Sequence, residues 1–319
     1  MKPVRRAVVD VGTNSIKLLV AEFNGFEVRP LLEESKQTRL GQGFYPTHVL
    51  QPGPIAQTVE AIAAFRAKAA ELGAGAPKVV ATSAVRDARN REELISAVKQ
   101  ACGLLIRVIS GEEEADYGFK GVTSDPSLAK ELLLLLDVGG GSTEFILGQG
   151  HQKHFTQSVQ LGTVRLLEEL RPSDPPSEDD LSGCRARVRR FVESEISPEL
   201  IPALRAEAGR RPGLPAVQLV GIGGSASILA CMEARLNNFD RDLLESTRLS
   251  QERLHWHVKH LWGLSLAERK GIVGLPPNRA DVILTGTVIY EAVMDRFGFK
   301  ELRVSTRGLR FAILQEEAY

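Results

Sequence analysis

Two short glycine-rich runs, almost half a chain apart, constrain the fold more than any other feature of this sequence. The first is Val9-Asp10-Val11-Gly12-Thr13-Asn14-Ser15. The second is Leu136-Asp137-Val138-Gly139-Gly140-Gly141-Ser142-Thr143-Glu144. Each follows an apolar, strand-like segment. Glycine lets the backbone turn sharply and aim several N–H groups at one anion. Thr13, Ser15, Ser142 and Thr143 add hydroxyl donors, and an aspartate at a strand end is placed to hold Mg²⁺ directly or through water. Two such turns, facing each other across a cleft, would grip a phosphate chain and its metal from both sides.

The run from Glu131 to Leu136 reads as a strand buried on both faces. Thr143–Leu147 reads as a second strand, so the second loop is expected to be a hairpin turn. A P-loop differs, because its glycines lead into a helix; neither a Walker sequence nor a strand-to-helix Gly-x-Gly-x-x-Gly fingerprint occurs here. A third turn, Gly221-Ile222-Gly223-Gly224-Ser225-Ala226-Ser227, follows the strand-like Val217–Val220 and precedes a helical segment. Such a junction can aim a helix N-terminus at an anion. Tight packing of strand on helix is the plainer use of those glycines.

Around these turns, strands and helices alternate as in an α/β layer fold. Residues 4–11 and 16–23 read as a hairpin around the first loop. Residues 54–72 form an alanine-rich helix ending at Gly73. Lys78–Ala81 and Leu104–Ile109 read as strands and Glu92–Cys102 as a helix. Glu112 opens another helix, with a break at Asp125-Pro126. From Leu132 the plan repeats. A helix is capped near Ser177, with Glu178 and Asp179 favourable in its first turn. Residues 209–215 read as an exposed turn, Leu302–Ser305 as a last strand and Leu309–Glu317 as a final helix.

Three glycine turns in this order resemble the actin-like ATPase and sugar-kinase superfamily. The finer wording resembles the exopolyphosphatase and guanosine pentaphosphate phosphohydrolase (Ppx/GppA) family. The matching stretches are Asp10-Val-Gly-Thr-Asn-Ser15, Arg39-Leu-Gly-Gln-Gly43, Ala81-Thr-Ser-Ala-Val-Arg-Asp-Ala88 and Val108-Ile-Ser-Gly-Glu-Glu-Glu-Ala115. They continue with Asp137-Val-Gly-Gly-Gly-Ser-Thr-Glu144, Leu161-Gly-Thr-Val-Arg-Leu166, Gly221-Ile-Gly-Gly-Ser225, Arg279-Ala-Asp-Val-Ile-Leu-Thr-Gly286 and Gly308-Leu-Arg310. They span nearly the whole chain. Three motifs depart from the family wording: Asp116 follows Ala115 where arginine is usual, Ser225 replaces threonine, and Phe311-Ala312 replace Glu-Gly. The helical domain rich in His-Asp pairs that longer relatives carry is not matched.

The resemblance implies two actin-like (ribonuclease H-like) α/β domains with an interdomain cleft. Their expected bounds are 1–125 and 126–319, with a final helix at about 307–319 packing back on the first domain. It implies metal-assisted hydrolysis of a terminal phosphoanhydride, with water as nucleophile and one orthophosphate released per cycle. Asp137 and Glu144 resemble the family's Mg²⁺ carboxylates, with Mn²⁺ as a substitute. Gly139, Gly140, Gly141 and Ser142 would cradle phosphate, with Gly223, Gly224 and Ser225 beside them. Asn14, Ser15 and Arg86 would hold it from the other lobe. Glu114 matches the glutamate that orients and deprotonates the attacking water, a role worth about 10²–10⁴-fold. Without the family match, Glu112-Glu113-Glu114 would read as an acidic helix start.

The leading substrate is inorganic polyphosphate. Guanosine pentaphosphate offers the same anhydride, so the loops do not choose between them. A sugar or acid kinase and a nucleotide-responsive binding protein are further alternatives. A homodimer is expected from the resemblance alone. No nucleic-acid or membrane partner is expected: 40 basic and 40 acidic residues cancel, leaving no global field for a polyanion. No secretory signal and no span of about 18 apolar residues stands out. Cys102, Cys184 and Cys231 are too far apart for a metal pair or disulfide framework, which fits a cytoplasmic enzyme.

Two features tempt. His255, His257 and His260 sit at i, i+2 and i+5, which share no helical face, so a partly exposed helix is favoured over a metal site. Arg185, Arg187, Arg189 and Arg190 could flank a polyanion groove, but a solvated helix face is the favoured reading. Lys270 and Arg279 are secondary candidates for polyphosphate contact, with ordinary surface charge as the simpler account.

Overall fold

The computed structural model describes residues 3–25, 27–210 and 217–316. The exposed turn expected at 209–215 lies largely outside them. The chain forms two compact units, one built from Met1–Ser124 with Arg307–Tyr319 and the other from Asp125–Thr306.

The first unit holds a five-stranded sheet in the order β3-β2-β1-β4-β5: β1 Val4–Val11, β2 Ser15–Phe23, β3 Val28–Gln37, β4 Lys78–Ala81 and β5 Ile106–Val108. The hairpin strands are antiparallel; β4 and β5 join parallel to β1, through helices α1 (Pro52–Glu71), α2 (Ser83–Asp87) and α3 (Arg91–Cys102). Val9, Ile16 and Leu18 are buried with Ile62 and Phe65 of α1 on one face. Val8 and Leu19 are buried on the other with Phe311 and Ile313 of the C-terminal helix, Leu309–Gln315. Helix α4 (Gly111–Thr123) starts at a capping box in which Ser110 Oγ accepts from the Glu113 N–H and the Glu113 carboxylate accepts from the Ser110 N–H.

The second unit repeats the plan: β6 Leu133–Val138, β7 Thr143–Gln149, β8 Gln152–Val159, β9 Gln218–Ile222, β10 Arg248–Ser250 and β11 Glu301–Val304, in the order β10-β11-β9-β6-β7-β8. Leu133, Leu134, Leu135 and Leu136 are all fully buried, as a run covered on both faces should be. Each such side chain contributes about 1.5–3 kcal/mol relative to exposure. The helices that matter for the site are α5 (Thr163–Leu170), α6 (Glu178–Phe191), α7 (Gly223–Glu233), α8 (Gln251–Trp262) and α9 (Ile283–Phe297). Ser177 caps α6 in a box with Asp180, at the place where the sequence predicts a cap.

The repetition reaches single residues. Asp10 opposes Lys17 in β1–β2 and Asp137 opposes Glu144 in β6–β7. A bulge falls at Val20/Ala21 in the first unit and at Leu147/Gly148 in the second, five residues past Ser15 and Ser142 respectively. The sequence reading assigned neither β3 nor β8. Both are sheet edges carrying mixed polar and charged residues, and β3 contains Pro30 beside its bulge. Edge strands tolerate this composition because only one side of the backbone must pair, so their hydrophobic alternation is weak.

Candidate functional site

The hairpin of the first unit turns through Gly12, whose N–H donates to the Ser15 carbonyl at 3.1 Å. The hairpin of the second closes in the same way, Gly139 N–H to Ser142 carbonyl at 3.0 Å. In both, a Cβ on the glycine would stand 3.0 Å from that carbonyl oxygen, so a side chain there would crowd the turn.

Each turn is braced from behind by a Leu-Gly step after the third hairpin strand. Gly41 N–H donates to the Thr13 carbonyl at 2.7 Å, and a Cβ on Gly41 would stand 2.3 Å from the Thr13 side chain. In the second unit a Cβ on Gly162 would stand 2.5 Å from the Gly140 and Gly141 backbone. Here helix α5 begins directly against the loop. The Thr163 and Val164 N–H groups donate to the Gly139 and Gly140 carbonyls, both at 2.9 Å, and Arg165 Nε donates to the Gly141 carbonyl at 3.1 Å. Otherwise unpaired N–H groups of a helix start thereby fix the glycine loop through its carbonyls.

In the first unit, Asn14 and Ser15 are buried, at 6% and 5% exposure. Asn14 Oδ1 accepts from Gln37 Nε2 at 3.1 Å, yet Asn14 Nδ2 and Ser15 Oγ have no hydrogen-bond partner among the described residues. Buried donors without partners are rare and costly, and two adjacent ones mark a place for an acceptor. Thr82 N–H donates to the Val11 carbonyl, which sets α2 beside this turn. From α2, Arg86 Nη1 donates to the Ile109 carbonyl at 3.1 Å and to Glu114 Oε2 at 3.0 Å. The two residues that the family resemblance gave separate roles are thus in direct contact. Glu113 is used otherwise: its carboxylate accepts from the Ser110 N–H and from Arg107 Nη2, which hold its pKa below the usual glutamate value.

The two corners differ in one cross-strand pair. Asp10 faces Lys17. Burial pushes the Asp10 carboxyl above the ordinary range, while Lys17 and then Arg310 pull it back. Asp137 faces Glu144, a carboxylate opposite a carboxylate. Glu144 is buried, at 1% exposure, and its Oε1 accepts from Ser158 Oγ at 2.8 Å. Like charges directly opposed across a ladder are unfavourable. Two hard oxygen donors in that position fit a Mg²⁺ or Mn²⁺ ion that completes its shell with water and phosphate oxygens. Among the described residues no group of three or more acidic, histidine or cysteine side chains could enclose a metal. One or two carboxylates, completed by water and phosphate oxygens, are how Mg²⁺ is usually held when it is shared with a phosphate substrate.

The third glycine turn meets this corner. Strand β9 lies parallel to β6, pairing Asp137 with Ile222. Gly223 then adopts φ +79°, and a Cβ on it would stand 2.3 Å from Asp137 Oδ1. Ser225 Oγ donates to the Val138 carbonyl at 3.2 Å. Asp137, Glu144, the Gly139–Ser142 turn and Gly223–Ser225 therefore converge. Tyr290 of α9 lies beneath them, fully buried, and burial together with the nearby Asp137 holds its phenol protonated.

Sequence reasoning missed Lys17, Tyr290 and the bracing role of Gly41 and Gly162. The glycines do lie inside the Arg39–Gly43 and Leu161–Leu166 motifs; nothing local marks Tyr290. The three histidines separate as expected. His255 Nε2 lies 2.9 Å from Asp295, His257 Nε2 lies 2.7 Å from Glu233, and His260 stacks on Trp256. The solvated-face reading of the arginines fails at Arg185, which makes a bidentate pair, at 2.7 and 2.6 Å, with the nearly buried Glu291. A buried carboxylate on α9 needs such a partner. Lys270 is exposed, whereas its neighbour Arg269 is buried on the Ala280 and Leu264 carbonyls. The three cysteines are unbridged, and burial pushes the Cys184 thiol up to about 12.

Comparison with known proteins agrees with this architecture. Residues 19–318 match the model of the Ppx/GppA phosphatase family. Exopolyphosphatase 2 of Mycobacterium tuberculosis is 31% identical over 322 residues, covering 97% of each chain. The crystal structure of an Aquifex aeolicus Ppx/GppA family member superimposes with a TM-score of 0.75 at 28% identity, covering 98% of this chain and 97% of that one. An exopolyphosphatase structure from Cytophaga hutchinsonii gives a TM-score of 0.83 at 27% identity, covering 97% and 96%. The chain belongs to the Ppx/GppA phosphatase family, and is thus a hydrolase built on two actin-like α/β domains.

Proposed function

We propose that this protein is an exopolyphosphatase that hydrolyses the terminal phosphoanhydride of inorganic polyphosphate, with Mg²⁺ or Mn²⁺, and releases orthophosphate. The observation that carries this reading is the asymmetry of two otherwise equivalent corners. One has opposed carboxylates, Asp137 and Glu144; the other has a neutralised Asp10–Lys17 pair and the unpartnered buried donors Asn14 Nδ2 and Ser15 Oγ. The first suits a cation and the second an anion. The names of the Mycobacterium tuberculosis and Cytophaga hutchinsonii relatives support the same substrate.

In this reading a divalent cation supplies charge neutralisation at the phosphates. Asp137 and Glu144 hold it. Gly139, Gly140, Gly141 and Ser142 offer backbone and hydroxyl donors to phosphate oxygens, as do Gly223, Gly224 and Ser225. Within the first unit, Asn14 and Ser15 are the donors suited to a phosphate oxygen. Glu114 orients the attacking water and takes its proton. Arg86 steadies the Glu114 carboxylate through Nη1 and has further N–H donors for a phosphate oxygen. The free cysteines fit action in the cytoplasm, and the family resemblance supports a homodimer.

The test is phosphate release by the purified protein with long polyphosphate, short polyphosphate, ATP and guanosine pentaphosphate, each with and without Mg²⁺. Polyphosphate should be the best substrate and should require the ion. Preference for guanosine pentaphosphate would move the substrate assignment to the nucleotide, and no release from any of the four would end the enzymatic reading.

A further inference from the structure

Strands β6 and β9 run side by side through the pairs Leu136–Gly221 and Asp137–Ile222 and then part. Beyond that point β6 enters the Gly139 turn, and β9 bends away at Gly223 with φ +79°. A phenol fills the fork. Tyr290 is fully buried, and its Oη lies 3.4 Å from the carbonyl oxygens of both Leu136 and Ile222. Leu136 and Ile222 immediately precede Asp137 and Gly223, so one hydroxyl touches the backbone leading into the carboxylate and the backbone leading into the glycine against which it packs.

The room for the phenol comes from strand β9 itself. A Cβ on Gly221 would stand 3.1 Å from both Tyr290 Oη and its Cε1, and 3.0 Å from the Ala226 Cβ. Gly221 and Tyr290 are thus a matched pair, one side chain missing so that another can reach the fork. Where the ladder ends, backbone groups lose their strand partners and the strand ends gain freedom. A shared hydrogen bond at that point restricts it, and a carboxylate held in place loses less entropy when it takes up a ligand.

We propose that Tyr290 is a positioning residue for Asp137: by tying the ends of β6 and β9 together it fixes the carboxylate against Gly223 in the orientation that receives a divalent cation. This rests on the reading of Asp137 as a metal ligand. Tyr290 touches neither substrate nor metal and acts through the backbone that leads into Asp137 and into Gly223.

The experiment is calorimetric titration of Mn²⁺ into the whole purified protein, with no substrate, comparing wild type, Tyr290→Phe, Gly221→Ala and Asp137→Ala. Melting temperatures are recorded without metal. Tyr290→Phe keeps the ring, so the metal-free melt should move little while Mn²⁺ binding weakens about tenfold, the low end of what loss of a supporting contact costs a metal site. Gly221→Ala, which pushes the phenol from the fork, should weaken binding in the same direction. At saturating Mn²⁺ the KM for polyphosphate should stay at the wild-type value in Tyr290→Phe. Wild-type Mn²⁺ affinity in Tyr290→Phe, with or without a lower melt, overturns the positioning role; if Asp137→Ala has by then lost the ion, the ligand assignment survives alone. Wild-type affinity in Asp137→Ala overturns both.

Discussion

Gly223 has no room for a side chain, because a Cβ on it would stand 2.3 Å from Asp137 Oδ1, and its φ of +79° lies in the region that only glycine adopts freely. The glycine is required twice, by backbone conformation and by the carboxylate beside it. Gly223→Ala should therefore cost about 1–2 kcal/mol from the left-handed backbone alone. It should also displace Asp137. The expected outcome is a lowered melt together with an activity that needs far more Mg²⁺ for half-maximal rate. A variant that is destabilised but keeps its Mg²⁺ requirement would show that the contact serves packing only.

The 3.0 Å contact between Arg86 and Glu114 leads to a second expectation. Glu114→Gln keeps an acceptor for the guanidinium and removes the base. Polyphosphate binding and melting temperature should stay close to wild type, while turnover falls about 10²–10⁴-fold. Single-turnover phosphate release is the measurement, and near-normal turnover would remove Glu114 from the base role.

Glu113, next in sequence, should show no such catalytic signature but a pH-dependent stability. The Ser110 N–H and Arg107 lower its carboxyl pKa in the folded state below the ordinary 4.5. A lowered folded value means that the unfolded chain binds the proton more readily. The stabilisation is then complete above about 4.5 and is lost as pH falls through the folded value. The stability gap between wild type and Glu113→Gln should be constant near neutral pH and close in acid. Urea unfolding at a series of pH values checks this, and a gap that widens in acid contradicts it.

Much of the site could be read from local sequence because its parts are local. A glycine turn between two apolar strands, a capping box at Ser110 or Ser177, and a strand buried on both faces at Leu133–Leu136 depend on residues within a few positions of each other. The three glycine turns and the acidic stretch at Glu112–Glu114 were legible for that reason. The edges β3 and β8 were not, because a polar strand with one free side carries little pattern.

The sequence alone determined the family, the α/β class and the two hairpin corners. Tertiary structure decided what each corner is suited to hold. Both hairpins present an aspartate, and only the register across the ladder reveals that Asp10 meets Lys17 whereas Asp137 meets Glu144. Only packing brings Tyr290, 154 positions from Leu136, to the fork beneath Asp137. The physical reason is common to both. Turn and helix signals are written in neighbouring residues, whereas the charge balance of a site is set by side chains that meet only when strands pair and helices cover them.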